Sequence, residues 1–401
     1  MTNLTTQIDY AHPELDEDDW KYQSGNDVVS DLFAQLKESK LLGPSDIGSS
    51  SRLCPNCICL QDEIFVPGFS RSYDTETLRL NAESKFCNLC VLLWQTATRD
   101  GCAKSSSIKL DRTGSFLRMR SNDLPVLSIV RHPEELSRAI SDAQMGFFQL
   151  PEAGSTAHLG VLQHWLNDCD GHHQCSPPKV AANGAKLRLP TRLIDVGTDD
   201  DDLVRLWETK PSDVGEWIAL SHKWGSQHLS TTPETLHDHL NGIELKTLPA
   251  TFRDAVKVTR ALRRRHLWID SLCVIQGPQG DFMTEAKRME EVYSGAYCVV
   301  AASCATDHYD GFLKPRSRRD CVRLCGQSKG QPPFYLCQNI DNFKDHVLDG
   351  ELHQRGWVLQ EHALARRTLF FTEHQTYFEC GNGVRCETST KLSKLVCPHH
   401  S

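Results

Sequence analysis

The chain has 401 residues, with 44 Lys+Arg against 52 Asp+Glu, giving a net charge of −8 at pH 7. That balance leaves no basic excess to displace condensed counterions, so a general nucleic-acid binder is not expected. Hydrophobic residues make up 39% and charged residues 24%, enough to fill a core and too apolar for a disordered polyelectrolyte; two or three domains are the prior.

Residues 1–52 read as a polar leader with one short helix, Asp27–Ser39, whose Val29, Leu32, Phe33 and Leu36 fall at i, i+3, i+4, i+7. The leader has no basic n-region and no apolar h-region. No run anywhere approaches the ~20 apolar residues of a membrane span. A cytoplasmic protein with no membrane partner is the expectation.

Residues 53–184 form a Cys-rich region. The chain has 17 cysteines, and in a reducing compartment these are buried thiols, metal ligands or reactive groups rather than disulfides. Two knuckles, Cys54-Pro-Asn-Cys57 and Cys87-Asn-Leu-Cys90, each aim two thiolates at one ion, and together complete a tetrahedral zinc site. A second cluster, Cys169-Asp-Gly-His172-His173-Gln-Cys175, offers further ligands, to complete a site with one knuckle or to make its own. One structural zinc is expected in residues 54–175, against the alternative that these are buried or surface thiols. Residues 111–157 read as short strands, and Val161–Asp168 as a short helix.

Arg188–Val196 is strand-like, and Asp199–Asp202 reads as a solvated loop. The pattern then becomes regular. Trp217–Ser221 is an apolar strand and Pro249–Leu262 an amphipathic helix. Leu267–Ile275 is a near-continuous apolar run that predicts a strand covered on both faces. Phe282–Tyr293 is a helix with Asp281 placed to cap it, and Tyr297–Ser303 a further strand. This alternation predicts an α/β fold, a mostly parallel sheet with flanking helices, preceded by the smaller Cys-rich, zinc-stabilised region. Residues 314–350 are loop-rich. Order resumes at Arg355–Glu361, Arg366–Phe371 and a last strand, Thr376–Cys380; residues 381–401 read as a tail. There is no G-x-G-x-x-G, no Walker motif and no H-E-x-x-H.

In an open parallel sheet, ligands bind at the carboxyl ends of the strands. Ser221, His222 and Trp224 follow the first strand and are candidate ligand-binding residues. Ser221-His222 is not read as a hydrolytic pair: neighbours on a strand face opposite ways, and no G-x-S-x-G elbow surrounds the serine. Asp270, inside an apolar run, needs a partner if buried; it caps a loop, pairs with an Arg or binds a hydroxyl. On helix Phe282–Tyr293, Phe282, Ala286, Met289 and Tyr293 form the apolar stripe. Glu285 and Glu290 flank it, and Glu285 lies in the first turn, nearest the carboxyl edge of the preceding strand. A half-buried carboxylate there suits proton transfer or the steadying of a developing cation. Arg355, Trp357, Gln360 and Glu361 make a compact cluster, with Arg355 and Gln360 as ligand-binding candidates and Glu361 as a second carboxylate candidate.

Three blocks carry a family resemblance: Trp217–Gly225 (WIALSHKWG); Leu248–Ala302, with LPATFRDAV, LWIDSLCVIQ, DFMTEAKRMEEVYSGA and CVVAA; and Arg355–Arg367 (RGWVLQEHALARR), followed by LFF and YFEC. In order and spacing they resemble the fungal heterokaryon incompatibility (HET) domain over residues 185–380. Lys223 is a departure, since the family more often has a small or apolar residue or Cys before Trp-Gly. The resemblance implies an intracellular effector of nonself recognition and programmed cell death. HET domains have been likened to Toll/interleukin-1 receptor (TIR) domains, some of which cleave NAD at the nicotinamide–ribose bond. NAD is therefore the implied substrate, with Glu285, Asp270 and Glu361 as the carboxylates that would steady an oxocarbenium-like transition state. Two other readings stay open: a non-catalytic signalling module that forms homo-oligomers, and an enzyme of fungal secondary metabolism acting on another small molecule.

Overall fold

A computed structural model describes residues 20–24, 51–119, 124–131, 143–172, 175, 188–325 and 333–394. The expected helix Asp27–Ser39 lies outside the described residues, as do His173 and the side chains of Trp357 and Gln360.

Three short strands are buried at every position: Trp217–Ser221, Cys298–Ala301 and Arg367–Phe371. A strand with no solvent face must lie inside a sheet covered on both sides. Here these three and His266–Trp268 run parallel, in the spatial order Arg367–Phe371, Cys298–Ala301, Trp217–Ser221, His266–Trp268. The first strand in sequence thus has the second on one side and the third on the other. The order reverses between Trp217–Ser221 and Cys298–Ala301, which is a topological switch point. Helix Ala250–Ala261 connects the first two strands and buries Phe252, Ala255, Val256 and Val258. Met289–Gly295 precedes the third strand and Gly356–Leu364 the fourth.

The expectation of a mostly parallel sheet is corrected. The four parallel strands are the centre of an 11-stranded sheet whose flanks are antiparallel. On one side Arg192–Asp195, Leu203–Glu208 and Ile243–Glu244 follow His266–Trp268, each pairing antiparallel. On the other, Thr376–Cys380, Gly383–Cys386 and Thr390–Lys394 continue from Arg367–Phe371, with Trp20–Ser24 at the edge. On the second side the reason is loop length. Parallel neighbours need a long crossover, whereas strands joined by a few residues, as after Phe371 and Cys380, can only fold back as hairpins. The sheet therefore takes strands from both the segment read as leader and the segment read as tail.

Two local expectations change as well. Leu267–Ile275 is not one strand: His266–Trp268 ends at the sheet edge, and Asp270–Cys273 is a buried helical turn. A short apolar run does not distinguish a buried strand from a buried turn by periodicity. The segment Phe282–Tyr293 is two helical pieces, Phe282–Glu285 and Met289–Gly295, joined by the 3-10 turn Ala286–Arg288. This break leaves Phe282 and Met283 in solvent, 46% and 76% exposed.

A second, 7-stranded sheet holds Ser70–Asp74, Ser107–Thr113, Phe116–Arg118, Leu127–Arg131 and Gln144–Met145. It also takes Cys321–Leu324 and Phe334–Gln338 from the region read as loop-rich. Helices Pro55–Glu63, Thr75–Glu83 and Asn88–Arg99 complete this unit, whose core includes Leu60, Leu78, Leu92, Leu93, Ile129 and Leu336.

Candidate functional site

Neighbouring residues on a strand face opposite ways, so the last residues of Trp217–Ser221 reach two different layers. Ser221 Oγ donates to Glu361 Oε2 at 2.5 Å, on helix Gly356–Leu364. His222 turns to the other face, edge-on to Phe252 of helix Ala250–Ala261. Its carbonyl accepts from Arg355 Nη1 at 2.6 Å. Asp270 begins the turn after His266–Trp268, on the same carboxyl edge. Its Oδ2 accepts from the Trp224 indole at 2.7 Å and its Oδ1 from the Ser271 N–H at 2.7 Å; His222 Nε2 lies 3.9 Å from Oδ1. Five of the predicted residues, Ser221, His222, Trp224, Asp270 and Glu361, therefore gather at the switch point, with Arg355 bracing them. Gln360 sits on the same helix as Glu361, with its side chain outside the described residues.

Glu285 is buried but belongs elsewhere. Its Oε1 accepts from Thr191 Oγ1 at 2.7 Å and pairs with Arg288 at 3.6 Å. Neither partner touches the Asp270–Glu361 group. The helical wheel placed Glu285 at a margin facing the sheet, and the broken helix turns that margin toward the lead-in of strand Arg192–Asp195.

Two residues the sequence did not single out complete the group. Tyr293 hydrogen-bonds Glu361 and is fully buried against Trp268; it lay on the predicted apolar stripe, which gave no hint of its hydroxyl. His308 is buried beside His222, with their Nε2 atoms 3.0 Å apart, and no spacing signal marked it. The Leu229 N–H points at His308 Nδ1 at 3.3 Å, so a neutral His308 carries its proton on Nε2 and donates it to His222. His222 then keeps its own proton on Nδ1, toward the Leu220 carbonyl. Burial holds both rings neutral, His222 down to about 3 and His308 to about 4.

The carboxyls respond in the opposite sense. Burial pushes Glu361 up to about 7, against the pull of the Ser221 hydroxyl, and the nearby Asp270 charge adds to the rise. Burial also raises Asp270, while the Trp224 and Ser271 donors favour its charged form. Along the same edge runs a pocket of about 260 Å³ lined by Lys223, Ser303, Thr306, Thr372 and His374.

Residues 217–361, which span this edge, match the family described as Heterokaryon incompatibility protein (HET). The chain carries a HET domain over those residues. No curated protein and no solved structure matches it.

Outside the matched segment, the chain has a thiol cluster that the knuckle spacing anticipated. Cys54, Cys57, Cys87 and Cys90 are all buried, with sulfurs within 4.8 Å of one another. Cys54 and Cys57 lie 3.7 and 3.6 Å from Cys90 Sγ. Four thiolates at ~2.3 Å from one tetrahedral ion stand roughly 3.8 Å apart, so the donor set and spacing fit zinc. Cys54 and Cys87 are the N-caps of helices Pro55–Glu63 and Asn88–Arg99. Hydrogen bonds from Cys57 and Cys90 draw Cys87 down to about 2, and those same contacts with burial push Cys57 up. A bound divalent cation would supply the charge that lets all four ionise.

The second predicted cluster is assembled differently. Cys169 and Cys175 meet Cys380, not a knuckle. His172 is exposed and turns to Asp168, 2.9 Å from its Oδ1, because the last helical turn points it away from the sheet. Among the described residues, no helix is long and apolar enough to cross a membrane.

Proposed function

We propose that the chain is an effector of incompatibility-type cell death that hydrolyses NAD at its nicotinamide–ribose bond. The supporting observation is the pair of carboxyls at the switch point of the HET domain, Asp270 and Glu361, held by four donors and both shifted upward. Two coupled carboxyls in unlike surroundings divide the work between them. Asp270, facing the indole and a backbone N–H, takes the electrostatic role. As the C1′–N bond breaks, its electron pair passes to the nicotinamide nitrogen and positive charge develops on the ribose, which the Asp270 carboxylate steadies. Glu361, titrating near neutrality, takes a proton from the attacking water as the new C1′–O bond forms. The products are nicotinamide, ADP-ribose and a proton. Trp224 provides a flat face beside the carboxylate for the leaving base. Ser221 and Tyr293 position Glu361, and Arg355 ties the strand end to the helix that carries it.

The purified full chain is expected to release nicotinamide from NAD, with loss of at least about 100-fold in Glu361→Gln and in Asp270→Asn. Wild-type protein that leaves NAD intact overturns this reading. A non-catalytic, self-associating module then becomes the better account. Adjacent exposed Phe282 and Met283 favour it, and a sedimentation coefficient that rises with concentration is its test.

A further inference from the structure

We propose that Cys169, Cys175 and Cys380 bind a second divalent metal ion of the zinc class, as a three-thiolate site whose fourth position faces a pocket. Their sulfurs lie within 4.8 Å of one another, although Cys380 is more than 200 residues along the chain from the other two. Three thiols cannot all be paired as disulfides, and three thiolates with one exchangeable position form a familiar coordination set.

Each ligand is held by its own support. Cys169 is fully buried in the last turns of helix Thr156–His172. That turn is fixed on both sides of the cysteine: Asp168 pairs with Arg385 and Asp170 with Arg367. The Tyr297 hydroxyl also donates to Asp170 at 2.8 Å, and the Tyr297 ring lies under two guanidiniums, Arg264 at 3.7 Å and Arg367 at 4.1 Å. Cys380 ends strand Thr376–Cys380, and the Asn382 N–H points at its sulfur at 3.4 Å. The same N–H···S arrangement occurs at the four-cysteine cluster, where Cys90 N–H faces Cys87 at 3.4 Å; such donors orient thiolate ligands. Gly381 leaves room for the third ligand, since a Cβ there would lie 3.3 Å from Cys175 Sγ.

The fourth position follows from the pocket. Cys175 and Cys380 line a cavity of about 470 Å³ with His362, Arg366 and Glu379, while Cys169 is fully buried and does not line it. His362 is not the fourth ligand: its Nε2 is engaged by Glu379, and its Nδ1 meets His353 at 3.1 Å. The ion would therefore present one face to solvent or to a small ligand in the pocket, and would staple helix Thr156–His172 to the sheet.

Metal analysis of the zinc-loaded full chain tests this. Wild type is expected to hold two equivalents. Cys380→Ser should lose one and Cys87→Ser the other, while Cys273→Ser, a buried thiol outside both clusters, should lose none. In cobalt-exchanged Cys87→Ser protein, added imidazole should shift the visible spectrum, because the remaining ion has an open position. A metal content unchanged by Cys380→Ser overturns the proposal, as does a Cys169–Cys380 disulfide in the wild-type peptide map. Should Cys380→Ser not fold, alkylation of wild type decides: Cys169, Cys175 and Cys380 are expected to resist iodoacetamide until a chelator is added. Equal labelling with and without chelator overturns the site.

Discussion

The four-cysteine cluster and the carboxylate group differ in how the chain assembles them. Cys54 and Cys90, the outer cysteines of the first, are 36 residues apart, and each pair sits on one helix start. Ser221 and Glu361 are 140 residues apart and meet only because two strands and two helices are correctly placed. A local site is fixed by spacing and can stabilise the region around it, whereas a long-range site depends on the fold and uses stability supplied elsewhere.

The largest effect is expected in the local site. Structural zinc contributes about 10 kcal/mol or more to small metal-dependent folds, so Cys87→Ser or strong chelation should unfold the helices and strands of residues 54–118. Hydrogen exchange should show that loss while strand Trp217–Ser221 stays protected. Equal deprotection of both regions would mean that they form one cooperative unit and that the contrast is false.

Next in size is Glu387, which shows what the long-range sheet rests on. It is fully buried, 2.7 Å from His158 Nε2 and paired with Arg316. Burial alone would raise its pKa, but those two partners outweigh it and hold it at about 2. Removing one member of such a cluster leaves uncompensated charge, and Glu387→Gln should cost about 3–5 kcal/mol in urea unfolding. The folded value lies below the unfolded one, so this contribution is present above the ordinary Glu value near 4.3. It is lost as pH falls from there toward 2.

How much of this was legible follows the same division. The Cys-x-x-Cys pairs, the all-apolar strands and the amphipathic helix Ala250–Ala261 rest on periodicity or spacing within about a dozen residues, and such signals survive in the sequence. The antiparallel flanks did not: the turn Thr372–Gln375 after Phe371 has no Gly, Pro or Asn, and the Gly381-Asn382-Gly383 mark after Cys380 falls in the segment read as a tail. Asp270 stands out as a carboxylate inside an apolar run and Glu361 as a member of the compact cluster Arg355, Trp357, Gln360 and Glu361, but no spacing joins the two. Glu285 was favoured over Glu290 by its place in the first turn of one unbroken helix Phe282–Tyr293, and the 3-10 turn Ala286–Arg288 breaks that helix. Cys380 carried no partner at a short spacing, and only the sheet brings it to Cys169.

Glu361→Gln comes third, and here stability and activity should move in opposite directions. The folded pKa of about 7 lies above the ordinary carboxylate value. Stability from this group is therefore fully present below the unfolded pKa and is lost as pH rises through about 7. Gln cannot ionise, so the variant should be more stable than wild type at pH 8, by about 1–3 kcal/mol, and equal to it near pH 4. In the proposed reaction nicotinamide release needs the ionised base, so it should fall. A variant that is less stable at pH 8 would mean that Glu361 supports the fold rather than using it.

The smallest expected effect is Trp224→Phe. It deletes the indole N–H that Asp270 Oδ2 accepts at 2.7 Å and keeps most of the ring. Hydrogen bonds to charged groups are worth about 1.5–3 kcal/mol, but two features reduce the loss. Asp270 retains the Ser271 N–H, and its side chain is 24% exposed, so water can replace the indole. About 1 kcal/mol remains, which is under one pKa unit. Its direction is fixed: with a donor to the charged form gone, burial raises Asp270 further. Carboxyl carbon chemical shifts across pH should record that rise, and the acid limb of nicotinamide release should move to higher pH with it. Metal content should not change, since sites with no shared partners act independently. Zinc lost from Trp224→Phe protein would show that the carboxylate edge and the cysteine cluster are coupled after all.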